Sequence, residues 1–279
     1  MPELPEVESV RRQLLGVIVG RRIVGAWADA HPSARQSAVA DAVGGTITAV
    51  RRRGKFLLIP LRFATAKRAG ADRELVLHLG MTGSLRVATA TDKATWHHDR
   101  AWFDFDDGAR MLFGDPRRFG RIAVVANGDY TATSPTLAAL GPEPLDATFD
   151  VSAFATALAA TRAPVKAALL QQRIVAGIGN IYADEALWRA GIHPRARRVG
   201  SARAARLHEA IVAVLTAAID REGTTFRDYR MVNGQSGRYA SQLDVYGKAG
   251  NPCRRCGTTL RRDVIAQRGT SYCPRCQRM

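Results

Sequence analysis

A chain of 279 residues, 46% of them hydrophobic, has enough apolar material for globular folding with two cores, so two domains are expected. Forty-one Lys and Arg against 25 Asp and Glu give a formal net charge of +16, which points to a polyanionic partner, with nucleic acid the leading candidate. The basic residues are spread over many segments, no apolar run is long enough to span a bilayer, and the start lacks the basic and apolar regions of a signal peptide, so a membrane role is excluded and a cytoplasmic location expected.

The chain opens Met1-Pro2-Glu3-Leu4-Pro5-Glu6-Val7-Glu8. Removal of Met1 before the small Pro2 would leave an N-terminal secondary amine. Such a group titrates at about 8 and is partly neutral near neutral pH, a good nucleophile toward a sugar aldehyde carbon. Val7, Val10, Leu14 and Val17 recur at helical spacing after Pro5, and Glu6 and Glu8 suit the positive end of that helix. The helix would hold a catalytic chain start in place.

From Arg22 to Val125 short β-rich runs follow: Thr46–Val50, Phe56–Ile59, Leu75–Leu79, Trp102–Phe105 and Ile122–Val125. Asp106-Asp107-Gly108 reads as a hairpin turn, and an antiparallel sandwich or barrel is expected. Lys55, after Arg51-Arg52-Arg53-Gly54, stands at a strand start, where a solvated basic turn is the plain reading and the three arginines add a general phosphate-attracting field. The adjacent His97 and His98 would point to opposite faces of a strand, which argues against a metal pair.

Three prolines and a Gly-Pro step mark Thr131–Asp150 as a linker. Val165–Gln172 reads as a helix, Val175–Gly179 as a tight turn, and Asn180 as the N-cap of a helix running to Ala190 and stopping at Gly191. Ser201–Ile219 is a helix with Leu207, Ile211, Leu215 and Ile219 on one face, and Gly223–Tyr239 is a loop of the kind that closes over a ligand. Cys253-x-x-Cys256 and Cys273-x-x-Cys276, sixteen residues apart, fit one structural Zn2+, since four thiolates leave no open position for water.

Pro2–Glu8, His78–Gly83, Asp115–Gly120, Gly177–Ala183 and Val245–Lys248, in this order and leading into the cysteines, together resemble the bacterial formamidopyrimidine-DNA glycosylases over essentially the whole length. The resemblance implies an α+β multidomain fold: an N-terminal antiparallel β-sandwich with N-terminal helix (1–130), a linker (131–150), a helix-two-turn-helix domain with a lesion loop (151–245) and a zinc-finger hairpin (246–279). It also implies a DNA repair enzyme, glycosylase and AP lyase, that flips oxidised purines such as 8-oxoguanine and formamidopyrimidines out of duplex DNA. Pro2 would form a Schiff base and the strand would be cut by β,δ-elimination. As a bacterial, nucleoid-associated enzyme with one active site, it would work as a monomer on damaged double-stranded DNA.

By the same resemblance Glu3 is the acid and base, Lys55 and Arg268 are catalytic, and Met81, Arg117 and Phe119 fill the void left by the flipped base, with Arg117 on the opposite cytosine. Lys166, Asn180 and the turn before it form a phosphate clamp, and His98 joins the DNA-binding set. The chain departs from the usual family text at Glu222-Gly223, Arg227, Gln171-Gln172 and around His98, which loosens the expected base preference. Two other readings are a sister endonuclease VIII type acting on oxidised pyrimidines and a non-catalytic zinc-bearing damage sensor. The Pro2-Glu3-Leu4-Pro5 start and the Arg117-Arg118-Phe119 motif favour the purine enzyme over the first, and the sensor would have no use for a free Pro2.

Overall fold

The computed structural model describes residues 2–31, 35–64, 72–89, 91, 95–131, 134–225 and 232–279. Met1, Arg227 and part of the expected Gly223–Tyr239 loop lie outside the described residues. The chain divides into two compact units, Met1–Ala138 with Glu222–Arg238, and Ala139–Arg221 with Tyr239–Met279.

In the first unit, α1 (Leu4–Ile18) has Glu3 as N-cap and Pro5 in its first turn, where a missing N–H costs nothing. It buries Leu4, Val7, Val10, Leu14 and Ile18, each contributing about 1.5–3 kcal/mol. Val17, expected on this stripe, faces out, because the row follows the i, i+4 spacing from Val10 to Ile18. The strands are β1 (Ile23–Ala28), β2 (Gln36–Ser37), β3 (Gly45–Ile47), β4 (Arg51–Arg53), β5 (Phe56–Phe63), β6 (Arg73–His78), β7 (Ser84–Ala88), β8 (Asp99–Phe105), β9 (Arg110–Gly114) and β10 (Arg121–Ala126). One sheet runs β1-β8-β9-β7 and the other β2-β10-β6-β5-β3, with β4 also on β5.

Alternate residues of both sheets meet α1 in a single core. Leu57, Ile59, Leu75, Leu77, Ile122 and Val124 come from one sheet, and Ile23, Phe103, Phe105, Met111 and Phe113 from the other. Pairing is antiparallel as expected except for β2, which joins β10 in parallel. The β8–β9 hairpin turns at Asp106-Asp107-Gly108, where Asp107 accepts the Ala109 N–H at 3.0 Å. A short helix, α2 (Pro135–Ala138), stands inside the stretch expected to be linker.

The second unit holds α3 (Val151–Ala160), α4 (Val165–Leu170), α5 (Asn180–Ala190), α6 (Ser201–Ile219) and the antiparallel hairpin of β11 (Arg261–Ile265) and β12 (Arg268–Tyr272). Asp150 caps α3 by accepting the Ser152 and Ala153 amides. The face of α6 carrying Leu207, Ile211, Leu215 and Ile219 is buried. Glu185 on α5, which periodicity alone does not single out, is buried and accepts the amides of Asp244, Val245 and Tyr246 at 2.8, 2.9 and 2.8 Å, so it docks the segment leading into the cysteines. Among the described residues no helix is long and apolar enough to cross a membrane.

Candidate active site

Pro2 and Glu3 are buried at the start of α1. Helix-dipole stabilisation is only part of what Glu6 does there. Its carboxylate accepts the Glu3 N–H at 2.7 Å and the Thr224 N–H at 2.7 Å, so one buried side chain fixes both the candidate acid–base residue and the start of the loop. Glu8 gathers Arg11, Arg12 and Arg52. Burial pushes its carboxyl up, but these guanidiniums outweigh burial and hold it below the usual range. Arg51 likewise pairs with Glu74 at 2.6 Å, so Arg51 and Arg52, assigned to a general phosphate field, have internal partners.

Lys55 is buried, which removes the solvated-turn reading. Its charge acts on His78, whose pKa is pushed down to about 4 by burial and then by Lys55 and Arg121. The His78 Nδ1 accepts the Gly80 N–H at 3.1 Å, so protonation would set two donors against each other. Because the unfolded chain takes up this proton at about 6.5 and the folded chain only near 4, stability is full above pH 6.5 and falls as pH drops toward 4. Between pH 7 and 5 the expected loss is about 2 kcal/mol, and His78→Gln should remove most of it. Urea midpoints at the two pH values check this, and equal losses in both proteins would refute it.

Met81 lies in the turn after β6, partly exposed, and Arg117 and Phe119 in the turn after β9. Phe119 is 39% exposed, an unusual position for a large aromatic residue, and the Arg117 guanidinium stacks over its ring at 4.7 Å from the centroid. A core reading of Phe119 is thereby excluded. His97 and His98 are exposed in the turn before β8, with ring centroids 5.0 Å apart. They do not sit on opposite strand faces, because the strand begins only at Asp99.

In the second unit the expected phosphate contact of Lys166 gives way to a buried ion pair. Its side chain is 0% exposed, 2.6 Å from Asp184, and also donates to Thr270 Oγ1 at 2.8 Å and the Gly269 carbonyl at 3.3 Å. Burial pushes the Asp184 carboxyl up, while the Lys166 ammonium and the Ser271 N–H pull against it. Asn180 is the first residue of α5 and not its cap, which is Gly179. Its Nδ2 donates to the same Gly269 carbonyl at 3.0 Å, and its buried Oδ1 has no hydrogen-bond partner among the described residues. Lys166 and Asn180 therefore converge on the carbonyl of Gly269, the neighbour of Arg268, which is exposed at the start of β12.

The four cysteine sulfurs lie within 4.8 Å of one another, with Cys253–Cys276 at 4.0 Å and Cys256–Cys273 at 3.5 Å. Zn–S bonds of about 2.3 Å in a tetrahedron place sulfurs about 3.8 Å apart, so this donor set fits one Zn2+. Trp188 Nε1 and the Cys276 amide donate to Cys253 and Cys273 sulfurs, as partners to thiolates should. Cys253, Cys256, Cys273 and Cys276 would hold the ion for folding alone.

Three family models match in order along the chain: the formamidopyrimidine-DNA glycosylase N-terminal domain at residues 1–122, the formamidopyrimidine-DNA glycosylase H2TH domain at 140–230, and the zinc finger found in FPG and IleRS at 250–278. A formamidopyrimidine-DNA glycosylase of Deinococcus radiodurans is 44% identical over 282 residues, covering 99% of this chain and 97% of that protein. The chain belongs to the formamidopyrimidine-DNA glycosylase family. Among solved members of that family, a Lactococcus lactis FPG variant in complex with Fapy-dG containing DNA has a TM-score of 0.87 at 35% identity, over 100% of both chains. MutM in complex with carbocyclic 8-oxo-G containing DNA gives the same TM-score, identity and coverage.

Gln172, next to the departing Gln171, has a structural part to play. Gln172 donates from Nε2 to the Ile178 carbonyl at 2.5 Å and accepts the Gly177 N–H at 2.9 Å, bracing the turn that leads into α5. No spacing rule in the sequence exposes this contact. Asp115, whose carboxylate is buried among backbone amides, is a second residue that periodicity misses, although an Asp-Pro step is a recognised turn initiator.

Proposed function

We propose that the chain is a DNA repair enzyme that flips oxidised purines, 8-oxoguanine and formamidopyrimidines, out of duplex DNA, excises them and cuts the resulting abasic strand. What carries the reading is the whole-length match to relatives named formamidopyrimidine-DNA glycosylase, together with a Pro2-Glu3 start buried and anchored by Glu6. The Pro2 nitrogen attacks the sugar C1′, the bond to the base breaks, and the base leaves with a proton. Opening of the sugar ring gives an iminium that acidifies C2′. Loss of a C2′ proton expels the 3′ phosphate, and a second elimination expels the 5′ phosphate. Glu3 carries protons to and from the ring oxygen and C2′. Lys55 and Arg268 serve the reacting nucleotide and its flanking phosphates as cations.

Met81, Arg117 and Phe119 occupy the vacated stack, with the planar Arg117 fork on the opposite cytosine. Asn180 and the turn before α5 hold the phosphate backbone, and His98 adds a contact from its exposed turn. The domain division at 1–130, 131–150, 151–245 and 246–279, a monomeric state, and a cytoplasmic, nucleoid-associated location belong to the same reading.

The test is a panel of duplexes with one 8-oxoguanine opposite each of the four bases, scored for free base and for a gap flanked by two phosphates. The expected result is release of the base and the gap, fastest opposite cytosine. Arg117→Ala should lose about 1–3 kcal/mol of preference for cytosine while losing less general affinity. Equal losses opposite all four bases would make Arg117 a phosphate contact, and absence of both products would remove the enzyme reading.

A further inference from the structure

We propose that Asp115 is a positioning residue for base flipping, whose one buried carboxylate joins the turn carrying Met81 to the turn carrying Arg117 and Phe119. The proposal rests on the void-filling reading of those three side chains. Asp115 is fully buried. Its Oδ1 accepts the Thr82 hydroxyl and the Arg117 N–H, the latter at 3.3 Å, and its Oδ2 accepts the Gly120 N–H at 2.7 Å. Thr82 Oγ1 also lies 3.4 Å from the Arg117 nitrogen. The Asp115 peptide is held in turn, its N–H donating to the His98 carbonyl at 2.8 Å and its carbonyl accepting Arg100 Nε at 3.0 Å.

Between the two turns there is no side-chain cushion. Gly80 has φ +64°, and a Cβ there would lie 2.6 Å from the Gly120 nitrogen and the Phe119 carbonyl carbon. A Cβ on Gly120 would lie 2.3 Å from the Phe113 ring and 3.1 Å from Asp115 Oδ2. Backbone meets backbone, so a shift of one turn moves the other. Arg118, left-handed at φ 58°, lies between Arg117 and Phe119, and its guanidinium pairs with Asp29, which also faces Arg100 at 3.5 Å. That conformation leaves Arg117 and Phe119 together, stacked at 4.7 Å. Met81, Arg117 and Phe119 are in this way set as one unit by a carboxylate that touches none of their side chains.

The experiment uses full-length, zinc-loaded protein with Thr82→Val, which keeps shape and removes the hydroxyl, Thr82→Ser, which restores it, and Asp115→Asn, which sets an amide donor against backbone donors. Single-turnover excision of 8-oxoguanine opposite cytosine and adenine is read alongside 2-aminopurine fluorescence at the neighbouring base step. Cleavage of a preformed abasic site in single-stranded DNA, which needs no flipping, is the control.

Thr82→Val should slow duplex excision on the order of tenfold, as expected when a buried acceptor loses its donor, with a smaller fluorescence change and a narrower cytosine preference. Single-strand cleavage should stay within about twofold, and Thr82→Ser should restore the duplex values. Folded Thr82→Val and Asp115→Asn proteins with unaltered excision and fluorescence would overturn the proposal, as would equal losses on duplex and single strand. A combined Met81→Ala, Arg117→Ala, Phe119→Ala protein separates the two layers. Retained duplex excision in it removes the void-filling reading and the proposal with it, whereas lost excision there, with intact Thr82 and Asp115 variants, removes the positioning alone.

Discussion

Borohydride added while the protein acts on an 8-oxoguanine duplex should leave it covalently joined to the DNA through residue 2. A secondary amine that displaces a base from C1′ passes through an iminium, and hydride reduction turns that into a stable amine. The site favours this chemistry because the Glu6 carboxylate fixes the Glu3 amide at 2.7 Å, so Glu3 follows a chain start that cannot drift. A residue retained or added ahead of Pro2 should abolish the crosslink, since it converts the amine to an amide. Pro2→Gly should still trap in part, because Gly also supplies an α-amine. Glu3→Gln should bind the duplex and excise about 10²- to 10⁴-fold more slowly, the usual weight of a general acid–base group. No crosslink from processed, zinc-loaded protein on any oxidised-base duplex would sink the lyase mechanism and leave a damage-binding protein standing.

Zinc removal should abolish specific duplex binding while the first unit stays folded. Structural zinc in small domains carries about 10–16 kcal/mol of apparent binding free energy, far more than the Trp188, Val245 and Leu260 cluster around Cys253 and Cys273 could replace. Without the ion, the hairpin that holds Arg268, Gly269 and Thr270 loses its base. Cys256→Ser or chelation should cost roughly a thousandfold or more in affinity, the gap between specific and non-specific DNA binding. Amide exchange should quicken across β11 and β12 and stay slow in β5 and β6. Full duplex affinity in zinc-free protein would contradict this.

Elements whose causes are local are legible in the sequence. The helix at Ser201–Ile219 has the limits expected from periodicity, α5 ends at Ala190 before Gly191 as expected, and the cysteine pairs meet as their spacing implies. Strand cores were also recognisable, but their ends were not, since β5 runs on to Phe63 through Pro60 and β8 begins at Asp99. Pairing partners far apart in the chain leave no such trace. Lys166 looks like a free phosphate-seeking ammonium until Asp184 and Thr270 are seen around it, 18 and 104 residues away. Glu6 and Asp115 are hidden for the same reason, because a carboxylate tied to another segment, Glu6 by the Thr224 amide and Asp115 by the Thr82 hydroxyl, has no periodicity to betray it. Cap preference puts the α5 cap at Asn180, one position after the Gly179 that holds it, because it cannot tell the last extended residue from the first helical one.

The Lys166–Asp184 pair also bears on how this sequence can diverge. Removing either member alone strands a charge in a site with 0% and 1% exposure, a step that costs about 3–5 kcal/mol, whereas replacing both with apolar residues of similar volume can be neutral. A lineage drifting by single substitutions therefore meets a barrier at both positions and a level path only through the double change. The Thr270 hydroxyl narrows that path further, because an apolar side chain at 166 takes away the donor to its oxygen, whereas the Gly269 carbonyl keeps the Asn180 amide. Positions 166, 184 and 270 thus behave as one inherited unit, although they are scattered across three elements of the chain.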